Sequence, residues 1–503
     1  IESNSINHGF FSANTINSFL HLPNDLFSNQ DKTGILDVFD LYNFTIDENS
    51  PIDQEVSVDP EMLGKVFEKL LDTNKETGSF YTPREIVSYM VKQSLIEYLK
   101  TKTSANENII EELINKHGIV DNKFDKKVLG EIENALKEIK IIDPAVGSGA
   151  FPVGILQEIT SVRFFCQKNI STNPKSPYDI KKEILENNIY GVDIDHGAID
   201  IARLRFWLSL VVDADLFDIE PLPNLDFKLV CANSLIPLDG GEKQTLDGDG
   251  RLEEEMLKIR KSYFRAWSTN GKNKLKEKFN KLIIQKNQGI LFGKSKRRKQ
   301  IESYHPFDYN NVAEFFDPEF MFGVKEFDLV IGNPPYNEIS EPVYRNFFKS
   351  NYKDVLSGHY DLYIFFIKLG FDILKNKGIL TFIIPHSYLE YSQFKNLRKF
   401  LFENTNLIEI TDRIESVFES AVVDNSILLF KRDNNKNFKS KFSKKIYNQK
   451  LLELDALVLE RDNFSENNFS YSGIKNNKKL IKFSEKSIPL GEITLSTQGI
   501  TVY

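Results

Sequence analysis

The chain has 503 residues and a formal net charge of −8; 41% of its residues are hydrophobic and 27% are charged. This balance excludes a wholly disordered or collagen-like chain. The longest apolar stretches, such as GILTFIIP at 378–385, fall far short of the ~18 residues of a membrane span, so no membrane partner is predicted. The two cysteines form no CxxC pair, which argues against a disulfide framework or a cysteine zinc site and favours a cytoplasmic location.

Two helix starts are predicted near the beginning of the chain. Asp59-Pro60-Glu61 places an N-cap residue, a proline and an acidic residue in the order that opens a helix. Thr82 followed by Glu85 is typical of a capping box, in which the threonine side chain caps the next helix. Apolar residues at helical spacing follow both starts, so residues 1–130 are predicted to be a mainly helical region.

Residues 131–435 have the pattern of an α/β domain. Short apolar runs alternate with helical segments, which predicts a doubly wound, mostly parallel seven-stranded sheet with helices on both faces. The strands are predicted at 139–142, 189–192, 227–231, 327–331, 379–384, 407–411 and 426–430. A basic, mostly helical insertion at 239–312 interrupts the alternation. Residues 436–503 are predicted to be a linker and the opening of another domain.

Basic residues are concentrated in two segments despite the negative net charge. Residues 251–300 contain sixteen Lys and Arg against four Glu, and residues 431–450 are rich in Lys and Asn. A local patch rather than the chain average sets the affinity for phosphates, so each segment can bind nucleic acid. A solvated helix face and a flexible loop are equally good interpretations.

The first predicted strand runs into a glycine-rich turn, DPAVGSGAF at 143–151. Gly147 and Gly149 let the backbone approach a ligand closely, and the helix that follows presents free N–H groups. The carboxylate of Asp143 would repel a phosphate but suits a ligand that carries an ammonium and a sulfonium. The turn therefore favours S-adenosyl-L-methionine over a dinucleotide, although such a turn can also be purely structural.

Two more predicted strands end in polar residues. Asp193 can accept hydrogen bonds from both hydroxyls of a ribose, and Ile194 can pack on the adenine. Asp193 lies about 50 residues beyond the glycine turn rather than the ~20 usual in nucleotide folds, so a solvated turn residue is the alternative. Asn233 can bind the adenine amino group or simply form a turn.

The sequence IGNPPY at 331–336 is the most informative stretch. Asn-Pro and Pro-Pro mark a rigid turn, but the side-chain oxygen of Asn333 and the main-chain oxygen of Pro334 are also two neutral acceptors. Bound to both N–H groups of an exocyclic amine, they would draw it toward a tetrahedral geometry and free its delocalised lone pair. Pro335 fixes the preceding carbonyl, and Tyr336 can stack on the base.

This chemistry requires no metal, general base or covalent nucleophile. The methyl group of a sulfonium is already activated, so its transfer is controlled mainly by positioning. The seven histidines show no metal-ligand spacing, and no metal site is predicted.

Together these motifs resemble a gamma-class adenine-specific DNA methyltransferase over roughly residues 59–432. The segment DPAVGSGAF, which includes Pro144 and Ala145, matches that family's S-adenosylmethionine loop, and Asn333–Tyr336 matches its catalytic motif. Residues 361–366 and 378–385 match its downstream sheet motifs. A stretch of four residues resembles the family's N-terminal cofactor motif: Phe80, Tyr81, Thr82 and Pro83.

The resemblance also implies two aromatic contacts. Phe366 would line the adenine pocket of the cofactor, and Phe418, in a segment that resembles a late motif, would face Tyr336 across a flipped base. It further implies methyl transfer to the N6 amino group of adenine in double-stranded DNA, as the modification part of a restriction–modification system.

Within this family, Glu61–Glu68 and Thr77–Pro83 look most like single-chain (type IIG) restriction–modification enzymes, in which a nuclease domain precedes the methyltransferase and a recognition domain follows. Pro489–Gln498 resembles the opening of the recognition domain. The chain departs from the pattern because it contains no convincing nuclease motif and little of a recognition domain. The first residue is Ile, so we expect a piece of a longer protein with fused or separate nuclease and recognition domains outside this chain.

Two other functions fit some of the same residues. Methyltransferases that act on RNA or on a protein glutamine amide share the glycine loop and face the same lone-pair problem, but the length and the basic insertion favour DNA. A non-enzymatic DNA-binding scaffold with a degenerate cofactor fold is the third possibility. The intact motifs at 143–151 and 333–336 argue against it.

Overall fold

The computed structural model describes residues 82–116, 124–213, 223–239, 251–288, 296–308, 311–415, 424–433, 439–448 and 450–460. The predicted helix start at Asp59 and the predicted contacts of Phe80, Tyr81 and Phe418 lie outside these residues. None of the helices in the described ranges has the length and apolarity that a membrane span needs.

The described helices and strands follow one another in chain order. The helices are α1 (Arg84–Lys102), α2 (Glu107–Lys116), α3 (Lys126–Glu138), α4 (Ala150–Ile170), α5 (Pro177–Asn187), α6 (His196–Val211), α7 (Arg251–Phe264), α8 (Thr269–Gln288), α9 (Lys296–Ser303), α10 (Pro318–Phe322), α11 (Pro342–Asn351), α12 (Leu362–Ile373) and α13 (Lys395–Asn404). The strands are β1 (Ile141–Asp143), β2 (Ile189–Asp193), β3 (Leu229–Cys231), β4 (Phe327–Gly332), β5 (Leu374–Pro385), β6 (Asn406–Glu415), β7 (Asn425–Lys431), β8 (Lys439–Asn448) and β9 (Lys450–Glu460).

The strands form one mixed sheet in the order β3-β2-β1-β4-β5-β7-β6-β8-β9. Strands β1 to β5 are mutually parallel, and β7 runs antiparallel between β5 and β6. All seven predicted strands are present, and the predicted α/β fold class is confirmed. The strand order reverses between β1 and β4, and this is where open α/β sheets bind their ligands.

Alternate residues along the strands point to two apolar cores on opposite faces of the sheet. On β4, Val330 belongs to one core, while Leu329 and Ile331 belong to the other. Helices α1 to α6 pack on the second face, and the insertion helices α7 to α9 pack on the first together with α10 to α13. Because both faces are covered, the central strands are continuous apolar runs, which is why they are visible in the sequence.

The sheet has nine strands instead of the predicted seven, because β8 and β9 add a hairpin beyond β6. A flexible loop is therefore the wrong interpretation of residues 439–448. The Lys445 ammonium is buried and donates to Glu409 Oε1 at 2.7 Å, and the Tyr89 hydroxyl donates to Glu409 Oε2 at 2.6 Å. Burial favours a higher pKa for Glu409, but Lys445 and Tyr89 hold it below its ordinary value. Lys445 is thus committed to the core and is not available to a phosphate.

A buried acid on α4 makes the stability of the domain depend on pH. Glu158 is 8% exposed, and burial raises its pKa to about 7, with Lys92 opposing the shift. The unfolded chain ionises this carboxyl at a lower pH, so folding is penalised increasingly as the pH rises from about 4.5 to 7. We therefore expect Glu158→Gln to raise the free energy of unfolding by roughly 3 kcal/mol at pH 8 and by less than about 1 kcal/mol at pH 5.

Urea unfolding at the two pH values measures this difference. Glu111, which is exposed on α2, supplies the control variant Glu111→Gln, for which we expect no comparable pH dependence. An equal effect of Glu158→Gln at both pH values would contradict the assignment.

Candidate functional site

A cleft of about 340 Å³ opens at the carboxyl ends of β1, β2, β3 and β4, within the usual size range of small-molecule sites. Most of the residues predicted from the sequence line it. They are Thr82, Asp143, Pro144, Ala145, Gly147, Asp193, Ile194, Asn233, Asn333, Pro335 and Phe366. The carboxyl ends of neighbouring parallel strands meet at one edge, so residues up to 284 positions apart in the chain converge here.

The glycine turn follows β1 and leads into α4. Gly147 and Gly149 have φ angles of 51° and 85°, which residues with a side chain rarely adopt. The N–H of Val146 donates to Val192 O at 2.9 Å, which fixes the turn to β2. Gly149 packs against Ala202, 3.0 Å from where a Cβ at Gly149 would lie, and does not line the cleft. Its contribution is the tight passage into α4 rather than a ligand contact.

Three carboxylates line the cleft, those of Asp143, Asp193 and Asp195, and the first two are the ones that the sequence predicted. Asp143 is 2% exposed, and its Oδ1 accepts from the Ala145 N–H at 3.1 Å. Asp193 accepts from the Gly147 N–H at 2.7 Å through Oδ2 and from the Asp195 N–H at 2.9 Å through Oδ1. Burial raises the pKa of Asp143 and of Asp193, and the neighbouring Asp193 raises that of Asp143 further. A cationic ligand would relieve this destabilisation, whereas a phosphate would increase it.

Three residues form the walls next to these carboxylates. Ile194 is 59% exposed on one wall, and Phe366 on α12 is 6% exposed on another. Asn233 accepts from the Leu235 N–H at 3.2 Å, so it forms the turn that was the alternative interpretation while also lining the cleft.

The side chain of Asn333 is held by Thr82, two positions before the start of α1. Its Nδ2 donates to Thr82 Oγ1 at 3.1 Å, and Thr82 is 4% exposed. The predicted capping box is wrong: Pro83 is the N-cap of α1 and no side chain caps this helix. The Thr82 hydroxyl is used by Asn333 instead, and Pro83 does not line the cleft. Because the amide nitrogen of Asn333 is fixed on Thr82, its amide oxygen is directed away from Thr82.

The rest of the Asn-Pro-Pro-Tyr segment is divided between the cleft and the core. Pro335 lines the cleft, but Pro334 and Tyr336 do not. The Tyr336 ring packs against the core of α1 to α6, and its hydroxyl donates to Ile383 O at 3.4 Å. Burial raises the pKa of this hydroxyl well above its ordinary value. The predicted stacking of Tyr336 on a base therefore stays a prediction.

Several lining residues are missed by sequence reasoning. Ile339, Tyr344 and Phe348 belong to α11 and the loop before it, and they form an apolar wall. Their pattern is that of an ordinary amphipathic helix, so no signal separates them from core residues. Gly332 is different, because a Cβ there would lie 2.6 Å from Asp143 Oδ1. Its signal in the sequence is a glycine at the end of a buried strand, directly before Asn333, which indicates that another group approaches the backbone closely there.

The charged side chains among the described residues that line the cleft are all carboxylates. Among the residues that the structure describes, no group of three His, Cys, Asp or Glu side chains is arranged to hold a metal ion.

Two family models match the chain. Residues 187–418 match the model described as Eco57I restriction-modification methylase, and residues 119–220 match the one described as MmeI, DNA-methyltransferase domain. Together the matches span the glycine turn, β2, the insertion and the Asn-Pro-Pro-Tyr segment.

Two curated proteins and one solved structure are similar over most of the chain. RM.MjaORFECS2P of Methanocaldococcus jannaschii, by name a type II restriction enzyme and methyltransferase, is 30% identical over 84% of this chain and 42% of that protein. RM.Eco57I of Escherichia coli, with the same designation, is 24% identical over 79% of this chain and 31% of that protein. The structure of the type IIL restriction-modification enzyme MmeI in complex with DNA aligns with a TM-score of 0.46 and 14% identity, over 80% of this chain and 43% of that one.

The chain spans less than half the length of each of these proteins. The matches confirm the predicted resemblance to the methyltransferase part of single-chain restriction–modification enzymes.

Proposed function

We propose that this chain, which carries a restriction–modification methylase domain of the Eco57I/MmeI type, transfers a methyl group from S-adenosyl-L-methionine to the N6 amino group of adenine in double-stranded DNA. The observation that carries the proposal is that Asn333, held by Thr82 at 3.1 Å, lines the same cleft as the glycine turn and its two carboxylates. The neutral Asn333 amide suits an amine that is to be methylated, and the carboxylates of Asp143 and Asp193 suit a cofactor that carries positive charge.

The residues of the cleft fit the cofactor. When bound, S-adenosylmethionine supplies a methyl group that its positive sulfonium has already activated. The buried Asp143 offers negative charge to the cationic end. Asp193 accepts the N–H groups of Gly147 and Asp195 through its two oxygens, and the Ile194 N–H also interacts with it. A carboxylate has about four acceptor positions, so one stays available for a ribose hydroxyl. Ile194 and Phe366 would enclose the adenine from two walls, with Asn233 as its polar partner.

Asn333 and Pro334 act on the amine that is methylated. The amide oxygen of Asn333 would accept from one of the amine's N–H groups. The main-chain carbonyl of the adjacent Pro334, although Pro334 is not among the residues that line the cleft, would accept from the other, and together they would hold the lone pair out of conjugation. The contact with Thr82 fixes the amide plane, so this acceptor is positioned before the substrate arrives. An adenine in a duplex reaches this point only when it is flipped out, at a cost of a few kcal/mol.

The proposal includes a domain division. Residues 1–130 form the helical region with the first cofactor motif, and the catalytic domain begins at 131 and contains the insertion. We place its end after β9 at Glu460 rather than at 435, because β8 and β9 are paired with its sheet. The remaining residues would lead into a recognition domain, and the protein would act on DNA in the cytoplasm.

A comparison of methyl acceptors tests the function. The full-length protein is incubated with radiolabelled S-adenosylmethionine and either duplex DNA, RNA or protein, and the modified residue is identified by mass spectrometry. We expect label in duplex DNA only, as N6-methyladenine. Label in RNA or in a glutamine amide would instead support the alternative, and label on cytosine would refute adenine specificity.

A further inference from the structure

Helix α9 begins with four consecutive basic residues, Lys296 to Lys299. Lys296, Arg298 and Lys299 are exposed, and the next residue, Gln300, is 3% exposed. The helix thus presents a compact basic surface to solvent while its opposite side is fixed to the domain.

The buried side of α9 is attached to one wall of the cleft. Gln300 accepts from the Asp239 N–H at 2.8 Å and donates to Pro237 O at 3.1 Å, and Arg297 donates to Asp239 O at 2.6 Å. Pro237 directly follows Ile236, which lines the cleft. Three hydrogen bonds therefore hold the basic helix next to the site.

A contact with α11 attaches α9 to a second wall. The Lys296 ammonium lies 5.5 Å from the centre of the Phe347 ring, next to Phe348, which lines the cleft. On the same helix Val343 is 78% exposed and Tyr344 is 43% exposed, and Lys349 is exposed. The two helices form a rim that combines cationic and apolar side chains at the carboxyl edge of the sheet.

The other two basic helices of the insertion, α7 and α8, are joined by a turn at the opposite, amino-terminal edge of the sheet. Asn224 donates to Tyr263 O at 2.6 Å and to Ala266 O at 2.9 Å, and Arg265 pairs with Glu186 at 2.7 Å. Asn224 precedes β3 and Glu186 precedes β2, so the turn between α7 and α8 lies at the amino ends of these strands. The basic charge of residues 251–300 is thus divided, and α9 carries the part that stands beside the cleft.

We propose that Lys296, Arg298 and Lys299 of α9 bind backbone phosphates of the DNA whose base enters the cleft. The inference rests on the proposed function, because a base that leaves its duplex for Asn333 brings its flanking phosphates to the rim of the site. Arg298 pairs with Glu302 at 2.9 Å, but an exposed pair of this kind is worth little and is readily exchanged for a phosphate. Contacts of this kind position the duplex and carry no sequence information.

The double variant Lys296→Gln/Lys299→Gln of the full-length protein tests the proposal. Its binding to a random-sequence fluorescent duplex is measured by anisotropy over a range of salt concentrations. Each phosphate contact contributes about 0.9 to the slope of log K against log salt, so we expect the slope to fall by about two units. At low salt we expect the Kd for DNA to rise roughly ten-fold or more.

The matched control removes two positive charges from the part of the insertion that lies at the opposite edge of the sheet. Lys261→Gln/Lys274→Gln changes two exposed lysines near the turn between α7 and α8, and we expect its Kd and salt slope to equal those of the wild type. Both double variants should retain the wild-type affinity for S-adenosylmethionine and the wild-type unfolding midpoint.

The outcomes separate this inference from the proposed function. If the α9 variant has the Kd and salt slope of the wild type, or if the control loses as much affinity, the phosphate surface on α9 is refuted. If the wild type binds duplex DNA with the expected dependence on α9 but methylates only RNA or protein, the proposed function fails and the surface on α9 stands.

Discussion

Replacing Asn333 by alanine should lower methyl transfer to adenine by roughly 10²–10³-fold, the loss typical of a single preorganised polar group at a reacting centre. The variant removes one of the two acceptors that hold the amine out of conjugation. It leaves the carboxylates of Asp143 and Asp193 and their hydrogen bonds to Ala145 and Gly147 in place. The affinity for S-adenosylmethionine should therefore stay close to the wild-type value. Steady-state methyl incorporation and calorimetry measure the two quantities separately.

Thr82→Val provides a graded companion to this variant. Valine has nearly the shape of threonine but cannot accept the 3.1 Å hydrogen bond from Asn333 Nδ2, so the amide is present but loosely held. We expect a loss of activity of about ten-fold, in keeping with one lost hydrogen bond of about 1 kcal/mol or slightly more. If Asn333→Ala retained most of the wild-type rate, the amine-activation mechanism would be wrong whatever Thr82→Val does.

The strands were predictable wherever the sheet is covered on both faces. The run FDLVIG of β4 is apolar because helices pack on both sides of it, and it occupies Phe327–Gly332 as its composition indicates. Strand β8 was not predictable, because its residues alternate between lysine, serine and phenylalanine. Ser440, Ser443 and Lys445 are buried because β6 lies alongside. It supplies Leu407 O as the acceptor for Ser440 and the Glu409 carboxylate as the acceptor for the other two. Such a long-range pairing leaves no local signal.

The site was predictable to the extent that it follows from strand ends. Four site residues stand at or just after the carboxyl end of a recognisable strand, and parallel topology brings those ends together: Asp143, Asp193, Asn233 and Asn333. The contact between Asn333 and Thr82 joins residues 251 positions apart, and a capping signal at Thr82 pointed to a different role.

The direction of an aromatic ring after two prolines is also not set by local sequence. Tyr336 is partly buried and packs against the core near Ile383, whereas its place in the motif suggested the cleft. The apolar wall from α11 depends in the same way on how a helix docks. Side-chain orientation and helix docking are decided by packing, and packing becomes visible only in the folded domain.

Gly332→Ala should weaken binding of S-adenosylmethionine by roughly 10–100-fold, corresponding to a loss of about 1.5–3 kcal/mol when a hydrogen bond to a charged group is disturbed. The added Cβ would lie 2.6 Å from Asp143 Oδ1, closer than real Cβ contacts come, and 3.2 Å from Asp143 Cγ, which is tighter than most real contacts. Because Asp143 is 2% exposed, its carboxylate has to rotate away from the Ala145 N–H and from the cleft. Overpacking of this kind should also lower the free energy of unfolding by about 1–3 kcal/mol.

A double-mutant cycle distinguishes this mechanism from general damage to the fold. Asp143→Ala removes the group that the new Cβ would strike, so Gly332→Ala should have little further effect on cofactor affinity in that background. Gly130→Ala on α3 is the matched control, since a Cβ there meets no atom within 4 Å, and it should bind the cofactor as the wild type does. Strictly additive losses in the cycle would show that Gly332 acts on the fold rather than through Asp143. If Gly332→Ala alone bound S-adenosylmethionine with wild-type affinity, the Asp143 carboxylate would take no part in holding the cofactor.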